Sequence, residues 1–322
     1  MQSDSRPVEA VVFPGMGPFA FADVARFLLI DRKARALVAR ADAVLGYSLI
    51  DRYRESEGDY SEDAQLAFLV SSLALAGWAE EHLEMAPAFA AGPSFGAMAA
   101  AVHAGALGFA DGVRMVSRRA RCLEEYFAVH HTDLVTQSFA RLPREALDEI
   151  LGELTERGEW YEVSCRVDHD LAMLTVREGL LDELDRRIRS LGGLALYAMR
   201  PPLHCGIFGP LRELAEERVF AGLEFSDPAV PLVADQDGAQ VRDAAGVRRM
   251  LLDGYDRPVH WPRVVDTLRA AGVRRAYVTG PDRLFGRVRR TTDAFEVVPV
   301  DGRRALRPRA RSAAARTGAP AR

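Results

Sequence analysis

The chain has 322 residues, 48% apolar and 27% charged, which excludes a disordered, collagenous or coiled-coil protein and fits a large α/β domain carrying a smaller one. The net charge of −4 is unevenly spread: seven arginines and no acid in residues 302–322 leave residues 1–301 at −11, so the body lacks the cationic face that nucleic-acid binding needs. Cys122, Cys165 and Cys205 have neither CxxC spacing nor an even count, so no disulfide framework and no metal site is expected. Residues 1–7 are polar, without the charged-then-apolar order of a secretory leader. The longest apolar stretch, residues 66–79, is shorter than a bilayer span and holds Ser71 and Ser72. A cytoplasmic monomer without nucleic-acid or membrane partners is the expectation.

Val8-Glu9-Ala10-Val11-Val12-Phe13 is a β-branched run cut off by Pro14-Gly15-Met16-Gly17-Pro18, which predicts a buried first strand entering a glycine loop. Apolar residues at helical spacing in 21–44 (Val24, Phe27, Leu28, Leu37, Val38, Ala41) predict helices, and a longer helix starts at the capping residue Ser61 and runs to about His82. Small residues at 87–91 predict a strand entering a tight turn, Gly92-Pro93-Ser94-Phe95-Gly96, ahead of an alanine-rich helix. Residues 114–127 are helical again, with Arg118, Arg119 and Arg121 clustered. The middle third reads strand 134–140, helix 143–157, strands 160–167 and 171–176 around Asp168-His169-Asp170, helix 178–191 and strand 194–199. That βαββαβ order predicts a ferredoxin-like subdomain over residues 131–197. It interrupts a discontinuous α/β-hydrolase-like domain, residues 1–130 and 198–301, with a parallel sheet at its core. Beyond Pro201-Pro202 come a helix at 210–221, a strand at 230–234, a helix at 262–271 and a strand at 275–278. The Ala/Pro/Gly/Arg-rich residues 302–322 predict a disordered basic tail.

Gly92 to Gly96 fits G-x-S-x-G, the nucleophile elbow, in which a serine sits on a strained strand-to-helix turn with its Oγ exposed. A nucleophilic serine needs a base. Of seven histidines, His82, His130 and His131 lie in polar stretches, His103 in the alanine-rich helix and His169 in the insert's hairpin. His204, in Arg200-Pro201-Pro202-Leu203-His204-Cys205, and His260, in Arg257-Pro258-Val259-His260-Trp261, both follow prolines that fix the backbone. Spacing alone does not choose between them.

Several segments, in order, resemble the acyltransferases that load acyl carrier proteins: the malonyl-CoA:acyl-carrier-protein transacylases and the acyltransferase domains of polyketide synthases. Phe13-Pro14-Gly15-Met16-Gly17 resembles the family's FPGQG, Ala64-Gln65 its T-Q-P segment, and Gly92 to Gly96 its GHSLG. Val116-Ser117-Arg118-Arg119-Ala120 resembles the helix motif ending in Arg-Gly, and Pro202-Leu203-His204-Cys205 the proline–x–histidine segment. Arg257-Pro258-Val259-His260-Trp261 resembles N-P-V-x-W, and Thr279-Gly280-Pro281 the late V-G-P. The resemblance implies Ser94 as nucleophile, His204 as its base, an oxyanion hole from the N–H groups of Met16 and Phe95, and a carbonyl near His260 that orients the base. Arg119 would read an acyl carboxylate, with Gln65, Leu203 and His260 also at the substrate. It implies an acyl-CoA or an acyl-carrier-protein phosphopantetheine thioester as substrate, an acyl carrier protein as partner and no bound cofactor.

The sequence departs from the family at several places. Met16 stands for its Gln, Pro93 for its His and Ala97 for its acid. Phe95 replaces a smaller aliphatic, and Arg166 and Asp168 occupy a stretch where asparagines lie near the acyl pocket. The departures concern the acyl group more than the reaction, so a specialised enzyme of secondary metabolism is expected. Alternatives are carrier-to-carrier transfer of a larger acyl group, or hydrolysis of wrong acyl groups from a carrier. For carrier docking, Arg200 and the insert-helix residues Arg186, Arg187 and Arg189 are candidate basic contacts.

Overall fold

The computed structural model describes residues 6–307. Its strands are β1 (Val8–Val12), β2 (Phe89–Ala91), β3 (Leu134–Ala140), β4 (Tyr161–Asp168), β5 (Leu171–Arg177), β6 (Leu194–Met199), β7 (Leu232–Val233), β8 (Gln240–Val241), β9 (Val259–His260), β10 (Val273–Thr279) and β11 (Glu296–Val300). The large sheet has the order β11-β10-β1-β2-β7-β8, with parallel pairing throughout except between β7 and β8. The discontinuous α/β architecture with a parallel core is as expected.

The first strand shows why that sheet is central. Val11 and Phe13 join the core under the helices on one face, whereas Ala10 and Val12 join a second core on the other. A strand covered on both faces reads as a continuous apolar run, which is what residues 10–13 are. The helix Glu62–His82 packs in the first core and is buried on nearly every side, so it lacks an amphipathic stripe. Ser61 caps it, its hydroxyl accepting from the Ala64 N–H.

The insert forms a separate antiparallel sheet, β6-β3-β5-β4, with the helices Arg144–Glu156 and Leu181–Ser190 packed on one face. Its other face carries Cys165, Val167, Leu171 and Met173 into the second core, against Ala10, Val12, Ala91 and Val278 of the large sheet. One pairing is not foreseeable from local pattern. β9, from the second half of the large domain, lies parallel to β4 with Cys165 beside Val259 and Arg166 beside His260, adding a fifth strand to the insert's sheet.

Three further elements escape the periodicity. The helix Ala244–Asp256 has its apolar pattern broken by Gly246 and Gly254. The short helix Leu49–Glu55 carries only three buried residues. β11 is a half-exposed edge strand containing Pro299, an edge-compatible residue that masks a strand pattern. The expected tail boundary at residue 302 is also corrected. Gly302–Ala305 is a helical turn capped by Asp301, with Gly302 buried against Phe27, so a defined backbone continues past that boundary. Residues 308–322 of that expected tail lie outside the described residues. Among the described residues, no helix is long and apolar enough to cross a membrane.

Candidate active site

β2 delivers the chain into the turn at Gly92, and the helix Gly96–His103 leaves it. Between them Ser94 has a φ of +54°, the left-handed conformation that L side chains rarely adopt and that a nucleophile elbow requires. Two glycines make the turn sterically feasible. A Cβ on Gly96 would stand 2.0 Å from the Phe13 carbonyl oxygen, and one on Gly92 would stand 2.2 Å from the Gly96 backbone. Gly96→Ala is therefore expected to destabilise the protein by on the order of 3 kcal/mol, read as a large fall in thermal midpoint, because the obstacle is backbone and cannot swing away.

The loop after β6 brings in the base. His204 is itself at φ +67°, and its N–H donates to the Tyr255 carbonyl at 3.0 Å. Its Nε2 lies 2.8 Å from Ser94 Oγ, and so the pair left open by spacing resolves to His204. Burial, and then the nearby Arg119 charge, push His204 down to about 4, against the pull of the Arg257 backbone carbonyl. The ring is thus a neutral proton acceptor throughout the neutral range. His260 is not a lining residue: its N–H donates to the Asp235 carbonyl at 2.6 Å, and it is Val259 that faces the cavity. The backbone carbonyl that the His204 ring meets is that of Arg257, in the segment near His260 where the resemblance implies one.

Ser94, Phe95, Met16, Gln65, Arg119, Leu203 and His204 all line one cavity of about 980 Å³. Arg166 and Asp168 do not; Cys165 does, and the Asp168 carboxylate instead accepts the Arg290 N–H. The helix Phe109–Phe127 sorts the neighbouring arginines, since one residue is a turn of roughly 100°. Arg118 faces outward and donates to the Ala221 carbonyl, while Arg119 donates to Gln65 Oε1 at 2.8 Å, with its guanidinium 5.8 Å from the ring centroids of both Phe95 and Tyr255. Gln65 is held in turn by donating to the Tyr60 carbonyl. Among the described residues no carboxylate pairs with Arg119, although Arg121, two positions on, is paired with Glu62. Burial pushes the Arg119 pKa down, the signature of a cation without a counter-ion.

The expected docking arginines are already engaged. Arg200 pairs with Glu178, Arg187 with Glu149 and Glu153, and Arg189 with Asp185, while Arg186 donates to the Asp182 carbonyl. Acids interleaved on the same surface make it mixed in charge.

Asp235 is a residue beside Ser94 that sequence reasoning misses. It sits in a polar-looking turn, Ala234-Asp235-Gln236-Asp237-Gly238, yet is 1% exposed, and its Oδ2 accepts the Ser94 N–H at 2.5 Å. No local signal marks it, since a buried acid and a turn acid have the same sequence.

Over residues 138–199 the chain matches the family described as VinK acyltransferase small domain. The malonyl CoA-acyl carrier protein transacylase of Salmonella typhimurium is 29% identical over 297 residues, 89% of this chain and 93% of that protein. Over most of its length the chain is similar to malonyl CoA-acyl carrier protein transacylases. Solved transacylases share the fold. An acyl carrier protein S-malonyltransferase from Vibrio cholerae is 25% identical with a TM-score of 0.76, covering 91% of this chain and 96% of that one. A malonyl-transacylase in complex with a type II polyketide synthase acyl-carrier protein gives 0.80 at 24% identity, covering 91% and 96%, a likeness of fold.

Proposed function

We propose that the protein is an acyltransferase that moves a malonyl group from coenzyme A to the phosphopantetheine thiol of an acyl carrier protein, in polyketide or related secondary metabolism. One observation carries the choice of acyl group: Arg119 shares the cavity with Ser94 and has no carboxylate partner among the described residues. A desolvated cation without a counter-ion is costly, and a substrate carboxylate removes that cost through a two-point contact that lysine cannot match.

In the first half-reaction His204 Nε2 takes the Ser94 hydroxyl proton as Oγ bonds to the thioester carbonyl carbon. The negative charge moves to the carbonyl oxygen, held by the Phe95 and Met16 N–H groups. The C–S bond then breaks, the thiol leaves with the proton from His204, and a malonyl ester remains on Ser94. The carrier's thiol attacks that ester with His204 again as base, and Ser94 regains its proton as the new thioester departs.

The cavity size favours a second reading, transfer of a bulkier acyl group, since about 980 Å³ holds more than malonyl. Incubation with malonyl-, acetyl- and longer acyl-CoA donors, followed by intact mass, tests both. The expected result is a malonyl adduct on Ser94 that a carrier protein discharges. An adduct formed only from uncharged or bulky donors overturns the malonyl reading.

A further inference from the structure

The carboxyl ends of two neighbouring strands meet beneath the nucleophile. β2 and β7 pair in parallel with Ala91 beside Val233, so the chain leaves them side by side toward Ser94 and Asp235. Asp235 is buried, and its Oδ2 accepts the Ser94 N–H at 2.5 Å. The backbone of Asp235 is tied down as well. Its carbonyl accepts the His260 N–H at 2.6 Å, and its turn closes through Gly238 N–H to the Ala234 carbonyl and Ala234 N–H to the Ala239 carbonyl, both at 2.9 Å. His260 belongs to the segment whose Arg257 carbonyl meets His204. One residue therefore grips the backbone of the nucleophile and, through its carbonyl, the segment that carries the base's acceptor.

The amides of the elbow show what that grip does. Gly96 N–H donates to the Pro93 carbonyl at 2.9 Å and Ala97 N–H to the Ser94 carbonyl at 3.1 Å. With Asp235 on the Ser94 N–H, Phe95 N–H is the one amide of residues 94–97 without an acceptor among the described residues. Ser94 itself is left-handed, a conformation that persists only where its surroundings over-determine it.

We propose that Asp235 is a positioning residue for the nucleophile: by accepting the Ser94 N–H it holds the left-handed elbow, keeping Oγ on His204 and leaving the Phe95 N–H free for the developing oxyanion. The grip needs an acceptor and not a charge. Burial first, against the pull of the Ser94 N–H and with Asp237 and Asp253 adding to it, pushes Asp235 up to about 7. The carbonyl oxygen of the neutral acid accepts an N–H as the carboxylate does. Asparagine keeps such an oxygen on a side chain of the same shape, leucine fills the space without one, and alanine removes both.

The inference rests on Ser94 and His204 forming an acyl-enzyme, so the test uses p-nitrophenyl acetate, which acylates an activated serine whatever its natural acyl group. The acetyl carbon bonds to Ser94 Oγ, and p-nitrophenol leaves with the proton that His204 took. Rate and final extent of acetylation are read by intact mass in the parent, Asp235→Asn, Asp235→Leu and Asp235→Ala, each with a melting curve. Asp235→Leu and Asp235→Ala are expected to slow acetylation about a hundredfold at saturating ester, with the half-saturating concentration unchanged and the extent still one acetyl per chain, because a misplaced oxygen reacts slowly. Asp235→Asn should stay within about fivefold of the parent. The leucine variant keeps the test open if alanine's cavity prevents folding. The inference is overturned if a folded leucine or alanine variant reacts at the parent's rate, or if asparagine is as slow as leucine. It is equally overturned if the variants lose extent in place of rate, or if neither leucine nor alanine folds, since the role is then structural. If the parent itself is not acetylated, the acyl-enzyme reading fails instead.

Discussion

Ser94→Ala is expected to form no acyl adduct and to lose transfer activity by at least about four orders of magnitude, with the thermal midpoint nearly unchanged. Ser94 Oγ is a single oxygen atom 2.8 Å from the His204 ring, with no other hydrogen bond among the described residues, so its removal is expected to strip chemistry and leave packing intact. His204→Ala should cost a similar factor, because an unassisted hydroxyl is a weak nucleophile and the two residues act as one unit, which also means their losses do not add. His260→Ala should cost far less, since the backbone N–H it gives to the Asp235 carbonyl survives the substitution. Intact mass after incubation with acyl donor, with a parallel melting curve, separates these outcomes. An adduct retained by Ser94→Ala places the acyl group elsewhere.

Arg119→Ala is expected to cut malonyl transfer by about a hundredfold while leaving acetyl transfer unchanged or raised. Breaking a buried charge pair costs about 3–5 kcal/mol, and Arg119 opens partly onto the cavity, so the lower end of that range applies. The gain on uncharged donors has the same source: a guanidinium with no counter-ion rejects an acyl chain that would desolvate it further. Arg119→Lys should fall between the two, about tenfold down on malonyl, since the charge stays while the planar two-point geometry is lost. Gln65 contributes through Arg119, whose guanidinium it fixes, so Gln65→Ala should raise KM for malonyl-CoA more than it lowers kcat. The decisive ratio is malonyl over acetyl transfer, measured in the parent and in Arg119→Ala. A parent that already prefers acetyl, or a ratio that the substitution leaves unmoved, removes the carboxylate reading.

The Ser94 elbow is legible in the sequence because its constraint is local. The turn puts backbone where a Cβ at positions 92 and 96 would have to be, so glycine must flank the serine within five residues. The insert's βαββαβ order is legible for the same reason, its strands and helices each being a contiguous run with its own periodicity. What stays hidden is whatever depends on groups brought together from afar or on the backbone itself. Arg118 and Arg119 differ only by a turn of the helix, and it takes the packing of the helix Phe109–Phe127 to decide which one faces Gln65. β9 is two residues long and gains its identity by lying beside Cys165 and Arg166, far away in the chain. The Arg257 carbonyl carries no side-chain signature at all, so the residues 257–261 do not show by composition which carbonyl meets His204. Asp235 stands at the other extreme: its side chain holds the Ser94 N–H, but its surroundings in the sequence read as a solvated turn. Burial is a property of everything packed around a residue, and the fold turns that acid inward beneath Ser94, where desolvation raises its pKa in a way that no neighbour in the sequence announces.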